Sequence, residues 1–592
     1  MDNVGTSQKI DRLVALRGEI AREKLDGFLV PRGDEHLGEY VPECAERLAW
    51  ISGFTGSAGM AVVLMDRALI WSDGRYVLQL ATQTDGDVWE RLHLGENPPG
   101  KYLGKHFAGA RIGYDPWLIS EDSVKRFAED GVQLVPVAAN LVDLAWKDRP
   151  AAPLGEALPH DIAYSGESSE EKRGRVAQIL RDEKLDAAVI SDPASLAWLL
   201  NLRGQDVDCT PFALGFVVAR ADASVDLFMA PEKLPAVTRA FLGNQVAVYP
   251  RGDLARVLGG FTGERVRVDR AGSAVWFANV LREAGAEVVA GGDPCAELKA
   301  CKNVVEQAGA RLAHQIDGVA LIRFLHWFSL AGVGESEVSV ARKLQEFRGK
   351  SADFKGDSFP AISGAGEDGA IIHYHATGES DRVVCANEVF LIDSGGQYFA
   401  GTTDVTRTLW TGPEAAPAGV REHFTRVLQG HIAISLLRFP DGCEGVRLDS
   451  FARKALWDVG LDYDHGTGHG VGSFLSVHEG PISISPYLRP AGIHAGMIVS
   501  NEPGFYAPGE YGIRIENLLL VEAAETSGKK KFLQFEVLTL APIERRLIEV
   551  GLLSAEEITW LDAYHARVLT EIGPRLDDAD RAWLASVCAP LK

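Results

Sequence analysis

Two stretches in the first third of the chain repeat one pattern of polar and apolar positions. EKLDGFLV (23–30) and EKLDAAVI (183–190) each carry a charged, amphipathic run into Leu-Asp and then a short apolar burst, which reads as a helix feeding a strand. RLAWISGF (47–54) and SLAWLLNLRG (195–204) mark a second correspondence. The first pair of marks is 160 residues apart and the LAW pair 148, so the first copy carries 12 more residues between its marks. AVVLMDRALIW (61–71) follows in one copy, and ALGFVVAR (213–220) with VDLFM (225–229) in the other, all with the alternation of hairpin strands. The pattern predicts two similar α/β domains in tandem.

The periodicity then changes. KDRPAAPLGEALP (147–159) has the Pro, Gly and Ala content of a linker, and Pro294 precedes a long helical pattern. That pattern (302–332) places Ile316, Ala320, Phe324 and Phe328 on one face, with Val319 and Ile322 beside them. VSVARKLQEFRG (338–349) predicts another helix. From 361 the pattern is short strands broken by glycine, with helices expected at 416–437 and 447–458 and in the last 50 residues. The expected domains are 1–153 and 154–299, both α/β, and 300–592, an α+β domain.

Composition narrows the function classes. At 592 residues the chain exceeds what one core supports. A formal charge of -22 opposes nucleic acid and anionic membranes as partners. No stretch reaches 18 apolar residues, and the polar start MDNVGTSQKIDRL lacks the apolar run of an export signal, so a cytoplasmic protein is expected. Seven scattered cysteines suit reduced thiols, and Cys295 with Cys301 has no metal-site spacing.

All the strong chemical signals lie after residue 300. VFLIDSGGQYFAGTTDVTRTLW (389–410) drives an apolar strand into Asp393 and returns through Asp404, 11 residues on, which could face Asp393 across a hairpin. GMIVSNEPGFY (496–506) drives a second apolar strand into Glu502. YGIRIENLLLV (511–521) carries Glu516 in mid-strand, with Arg514 on the same face and Ile513 and Ile515 opposite. DHGTGHGVG (464–472) sets His469 among alternating glycines, which allow other groups to approach closely. Four carboxylates sharing one region repel each other unless cations intervene. Their charge of -4 matches two divalent ions, and the oxygen-rich set favours manganese, with zinc, cobalt or iron as alternatives. His373 (in AIIHYH), His465 and His478 (in SVHEG) surround the set and could polarise a carbonyl or supply a proton.

These segments resemble a known family. IIHYH, LIDSGGQY, GTTDVTRTLW, LDYDHGTGHGVGSFLSVHEG, NEPGFY and GIRIEN are similar to the catalytic signatures of metallopeptidases of the pita-bread fold, specifically Xaa-Pro aminopeptidases of the long, three-domain cytosolic type. GSAGMAVVLMDRALIWSDGRY (56–76) resembles that type's N-terminal domain. The resemblance implies two creatinase-like α/β domains followed by a pita-bread α+β catalytic domain with a C-terminal helical extension. It implies that Asp393 chelates one metal, that Asp404 and Glu516 bridge both, and that His469 and Glu502 complete the second. Glu502 is then base and proton shuttle with a metal-bridging hydroxide, His373 and His478 contact the scissile carbonyl and developing oxyanion, His465 lies toward the P1′ position, and Arg514 holds a ligand network. The implied substrates are peptides with proline second, cleaved before that proline, and the implied assembly is a homodimer.

His375 departs from the pattern, as an added imidazole expected on the same strand face as His373. A prolidase uses the same ligands but normally has one N-terminal domain, against the internal repeat. A noncatalytic peptide- or histone-binding module on this fold loses ligands, and none is missing. GAGEDG (364–369) fits a GxGxxG pattern by letter only: its acids oppose a pyrophosphate, and neither a preceding strand nor a following helix is evident.

Overall fold

The structure is a computed structural model and describes residues 3–378 and 380–591. It divides into two compact units, one formed by the chain up to Asp161 with Glu167–Ala296, the other by Ile162–Gly166 with the chain from Glu297 on.

The first unit contains the repeat. Strands β1 (Gly27–Pro31), β2 (Met60–Leu64), β3 (Ala68–Ser72), β4 (Trp89–His93), β5 (Arg111–Tyr114) and β6 (Gln133–Pro136) form a sheet in the order β4-β3-β2-β1-β5-β6. Strands β7 (Ala187–Ile190), β8 (Phe216–Arg220), β9 (Val225–Phe228), β10 (Val246–Tyr249), β11 (Arg265–Val268) and β12 (Glu287–Ala290) form another in the order β10-β9-β8-β7-β11-β12. The copies agree in direction as well: the two hairpin pairings of each sheet are antiparallel and the three outer pairings parallel. In the first copy the helix ahead of β1 buries Leu13, Leu16 and Ile20 in one cluster with Phe28, the 3.6-residue stripe that the charged run implied. In the second, Ser168 and Glu171 close a capping box on the helix Ser169–Asp182, which buries Val176, Ala177 and Leu180.

The second unit opens on helix Val304–Ala331, capped reciprocally by Asn303 and Glu306. Its buried face is rotated from the expected one: Ala320, Phe324 and Phe328 are buried, but Ile316 is only half-buried and Asp317 takes the inner position. The reason is a polar anchor. Asp317 Oδ1 accepts from Arg348 Nε at 2.7 Å and the Tyr398 hydroxyl at 2.8 Å, and Oδ2 from the Thr403 hydroxyl at 3.1 Å. A buried carboxylate left alone would be costly, so its three donors define where this helix packs against the hairpin leading into Asp404.

Three antiparallel strands, β13 (Ile362–Ala365), β14 (Val389–Ser394) and β15 (Val405–Trp410), form one sheet. β16 (Phe439–Pro440), β17 (Gly468–Gly470), β18 (Glu479–Ile484), β19 (Ile498–Asn501), β22 (Asn517–Ala524) and β23 (Phe532–Val537) form a second, and β20 (Gly504–Ala507) pairs with β21 (Tyr511–Arg514). Helices Ala418–Ser435, Val446–Trp457 and Ala555–Ile572 lie where helices were expected. Phe424, Leu428, Leu456, Leu561 and Val568 share one core with Ile513 and Ile515. GAGEDG does follow a strand, contrary to expectation, since it begins within β13. That strand lies in an antiparallel sheet and runs into a single 3₁₀ turn at Gly366–Ala370, so the phosphate-binding strand–helix geometry is not formed. The seven cysteines are free thiols, and no helix among the described residues is long and apolar enough to cross a membrane.

Candidate metal centre

The five predicted ligands come from strand ends and breaks in the second unit. Asp393 is the fifth residue of β14; its cross-strand partner is Thr406, not Asp404. Asp404 sits one residue before β15, two positions from Thr406, and so is the diagonal neighbour of Asp393 on the same face. Glu516 is not in mid-strand: the backbone breaks at Ile515–Glu516 between β21 and β22, which belong to different sheets. The predicted alternation still holds across the break, with Ile513 and Ile515 in the apolar core and Arg514 and Glu516 both bonded to Thr406. Glu502 directly follows β19.

His469, in β17, meets these acids where glycine makes room. A Cβ on Gly468 would lie 2.0 Å from the Ser500 carbonyl oxygen, and one on Gly470 would lie 2.2 Å from that of Glu479. Only glycine on both sides of His469 lets β17 pair closely with its neighbours. His469 Nε2 is 3.5 Å from Asp404 Oδ2 and 3.4 Å from Glu502 Oε1. Ligand atoms of Asp404, His469 and Glu516 lie within 4.8 Å of one another.

The donor set fits divalent cations. His469 Nδ1 lies 3.0 Å from the Gly470 carbonyl, an acceptor, so Nδ1 carries a hydrogen and Nε2 is the nitrogen turned toward the carboxylates. Asp393 Oδ2 accepts from Arg514 Nη2 at 2.7 Å, while its Oδ1 is buried with no hydrogen-bond partner among the described residues. The remaining acids are pushed toward protonation. Burial, then the charges of Glu516, Asp393 and Glu502, hold Asp404 well above the usual carboxylate range. Burial, Glu502 and Asp393 do the same to Glu516. Burial pushes Glu502 up to about 7 against the opposing charges of Arg514 and His478. Crowded acids, an unsatisfied oxygen and an imidazole nitrogen turned toward carboxylates are together a donor set that suits cations.

This chemistry predicts how metal binding responds to pH. Groups whose folded values are raised hold protons that the unfolded chain has already lost, so metal-free stability falls as pH rises through about 7. Metal must displace those protons. Calorimetric titration of metal-free protein in two buffers of different ionisation heat is expected to show more protons released at pH 6.5 than at pH 8.5. Equal release at both would contradict the arrangement.

The metallopeptidase family M24 model matches residues 308–523, and the C-terminal region of peptidase M24 matches 531–591. Two models of the creatinase/prolidase N-terminal domain match 12–144 and 148–306. A probable Xaa-Pro aminopeptidase P of Laccaria bicolor is 39% identical over 619 residues, covering 100% of this chain and 95% of its own. One of Aspergillus niger is 37% identical with both chains fully covered. The crystal structure of an X-prolyl aminopeptidase from Caenorhabditis elegans, described as a cytosolic enzyme with a di-nuclear active site, superposes with a TM-score of 0.94 at 35% identity, covering 98% of this chain and 100% of its own. The chain belongs to metallopeptidase family M24, in its Xaa-Pro aminopeptidase P group. Prolidase from Pyrococcus horikoshii shares the fold over 64% of this chain, all of its own length, with a TM-score of 0.50 at 22% identity.

The histidines expected around the M24 centre fall at different depths. The His478 ring stands edge-on to that of His469, centroids 4.4 Å apart. His465 lies between Tyr463 and Tyr506, its Nδ1 2.8 Å from the Gly466 carbonyl and its Nε2 accepting from the Tyr506 hydroxyl at 2.9 Å. His373 is half-buried in a turn whose preceding carbonyl, Ile372, accepts from Arg514 Nη1 at 3.4 Å. His375 does not share a strand face with it: residues 371–376 form no strand, and His375 is exposed.

Three residues of the site escaped the sequence reading. Thr406 donates to Glu516 Oε2 at 2.7 Å. The Ser500 hydroxyl accepts from the His469 amide at 2.9 Å and donates to Glu502 Oε1 at 3.0 Å. Tyr506 accepts from Arg514 Nη1 at 2.6 Å, completing a line Asp393–Arg514–Tyr506–His465. Two had a signal in spacing: Thr406 and Ser500 stand two positions from Asp404 and Glu502, on the same strand face.

Proposed function

We propose that the protein is an Xaa-Pro aminopeptidase that hydrolyses the bond between an N-terminal residue and a following proline, and that it holds two divalent ions, manganese first. The observation that carries this is the convergence of ligand atoms of Asp404, His469 and Glu516 within 4.8 Å, beside an Asp393 oxygen without a donor among the described residues. Asp393 would hold one ion, Asp404 and Glu516 both, and His469 and Glu502 the second. When bound, the ions supply an activated water and polarise the scissile carbonyl.

The chain's own residues do the rest. Glu502 takes a proton and returns it to the leaving proline nitrogen, from its place 3.4 Å from His469 Nε2. His478 and His373 donate to the carbonyl oxygen as its charge develops. Arg514 is a positioning residue that orients Asp393, Tyr506 and Thr406. His465, fixed by Tyr506, faces the P1′ side. Proline there offers no N–H, so its recognition rests on shape and on these side chains.

The wider reading is of a cytoplasmic homodimer without nucleic-acid or membrane partners, with domains at 1–153, 154–299 and 300–592. Free cysteines agree with a reducing compartment. The test is an assay with added manganese on Xaa-Pro-Yaa peptides beside Xaa-Pro dipeptides, with products identified by mass. Release of the N-terminal residue from the tripeptides is expected; activity confined to dipeptides, or cleavage elsewhere, would overturn the assignment.

A further inference from the structure

A buried carboxylate that the proposed chemistry does not use lies behind the His373 turn. Glu337 begins the helix Glu337–Arg348 and is 0% exposed. Its Oε1 accepts from the Ala365 amide, at the end of β13, at 2.7 Å. Its Oε2 lies 2.8 Å from the Tyr374 hydroxyl and accepts from the Arg382 amide at 3.2 Å. The Glu337 amide donates to the Arg382 carbonyl at 3.0 Å, and its carbonyl accepts from the Ser363 hydroxyl at 2.8 Å. One residue thus ties together a helix start, the β13 strand, the segment at 382 and, through Tyr374, the turn that carries His373.

Tyr374 is the link to the site. It is buried, and its ring packs with Ile362 and Leu391. Ile362 is the cross-strand partner of Asp393, and Leu391 is two residues before it on β14. The Tyr374 hydroxyl, 2.8 Å from Glu337 Oε2, is also 2.9 Å from the Ser380 carbonyl, and its single hydrogen is shared between these two acceptors. The turn's backbone–backbone bonds are local: the Ile371 amide donates to Asp368 and the Tyr374 amide to Ile371. Local bonds give the turn a shape, but they do not fix where it stands relative to β14. One longer tie does reach the site, from Arg514 Nη1 to the Ile372 carbonyl at 3.4 Å. The Tyr374 ring and hydroxyl supply the closer one.

We propose that Tyr374, anchored by Glu337, is a positioning residue that holds the His373 imidazole in register with Asp393. This rests on the assignment of His373 to the scissile carbonyl. A side chain acting only through His373 affects turnover more than substrate binding, because the carbonyl contact strengthens as charge develops.

The test is a double-mutant cycle on the metal-loaded enzyme with an Xaa-Pro-Yaa peptide, using Tyr374→Phe, His373→Ala and the double variant. Losing one oriented hydrogen bond corresponds to a fall in kcat/KM of about 10-fold. The fall is expected in kcat, with KM and metal content near wild type, and it is expected to vanish on the His373→Ala background. Glu337→Gln keeps the volume and supplies a second probe if Tyr374→Phe is poorly folded; its loss is likewise expected to disappear without His373. Losses that multiply across the cycle, or full kcat in Tyr374→Phe, would overturn the positioning role. Unchanged kcat/KM in His373→Ala would instead show that the underlying assignment of His373 is wrong.

Discussion

Glu502→Gln is expected to lower kcat by about 10³-fold while the protein stays folded, since positioned proton transfer contributes roughly 10²–10⁴-fold. Glutamine reproduces the shape of the side chain and can still accept from Ser500, which bonds Glu502 Oε1 at 3.0 Å. It cannot take up and return a proton. In the metal-free protein, burial and Asp393 raise the carboxyl to about 7. The same shift gives an independent check with the opposite sign. A raised folded value means that ionised Glu502 costs metal-free stability as pH rises toward 8. The neutral amide removes that cost, so metal-free Glu502→Gln is expected to melt no lower than wild type at pH 8. A dead enzyme with an undiminished Tm locates the defect in proton transfer or in one ligand charge, and metal analysis separates those two. Near-normal kcat with metal retained would refute the assignment of Glu502.

How much of this was readable beforehand depends on the range of the interaction. The repeat at 23–54 and 183–204 was legible because each copy solves the same local problem, a helix with one apolar stripe covering a strand hairpin, and its strand order is identical in the structure. Asp393 and Glu502 were legible because an acid ending an apolar strand is out of place unless something compensates it. Asp317 was not. In the sequence it interrupts a helix whose apolar stripe runs through Ile316, and its donors Arg348, Tyr398 and Thr403 lie 31 to 86 residues away. The same distance concealed Glu337, whose buried carboxylate reads locally as an ordinary acid in a first helical turn. The break at Ile515–Glu516 was missed for a different reason. The run YGIRIENLLLV alternates without interruption, and only its division between two sheets ends one strand and begins the next. Side-chain facing survived that error because the period of two continues through the break.

Loss of an imidazole is the second large effect. His478→Ala is expected to reduce kcat/KM by about 10²–10³-fold, the range for one oxyanion donor, with metal content unchanged. His478 stands edge-on to His469 but belongs to a different segment, the bend before β18. The next residue, Glu479, is buried and ion-paired with Lys299 at 2.8 Å and with Lys302. Its backbone pairs with Gly470 of the His469 strand. Those interactions are made by residue 479, so removing the ring at 478 is expected to leave the fold and His469 in place. A second consequence follows from charge. In the metal-free protein His478 lowers the Glu502 carboxyl, so its removal lets that group rise further, and metal binding near pH 7 is expected to release more protons than in wild type. A contact that served only packing would lower activity without changing that release. Loss of metal in His478→Ala would show instead that the ring supports His469, and that the boundary between ligands and substrate contacts is drawn in the wrong place.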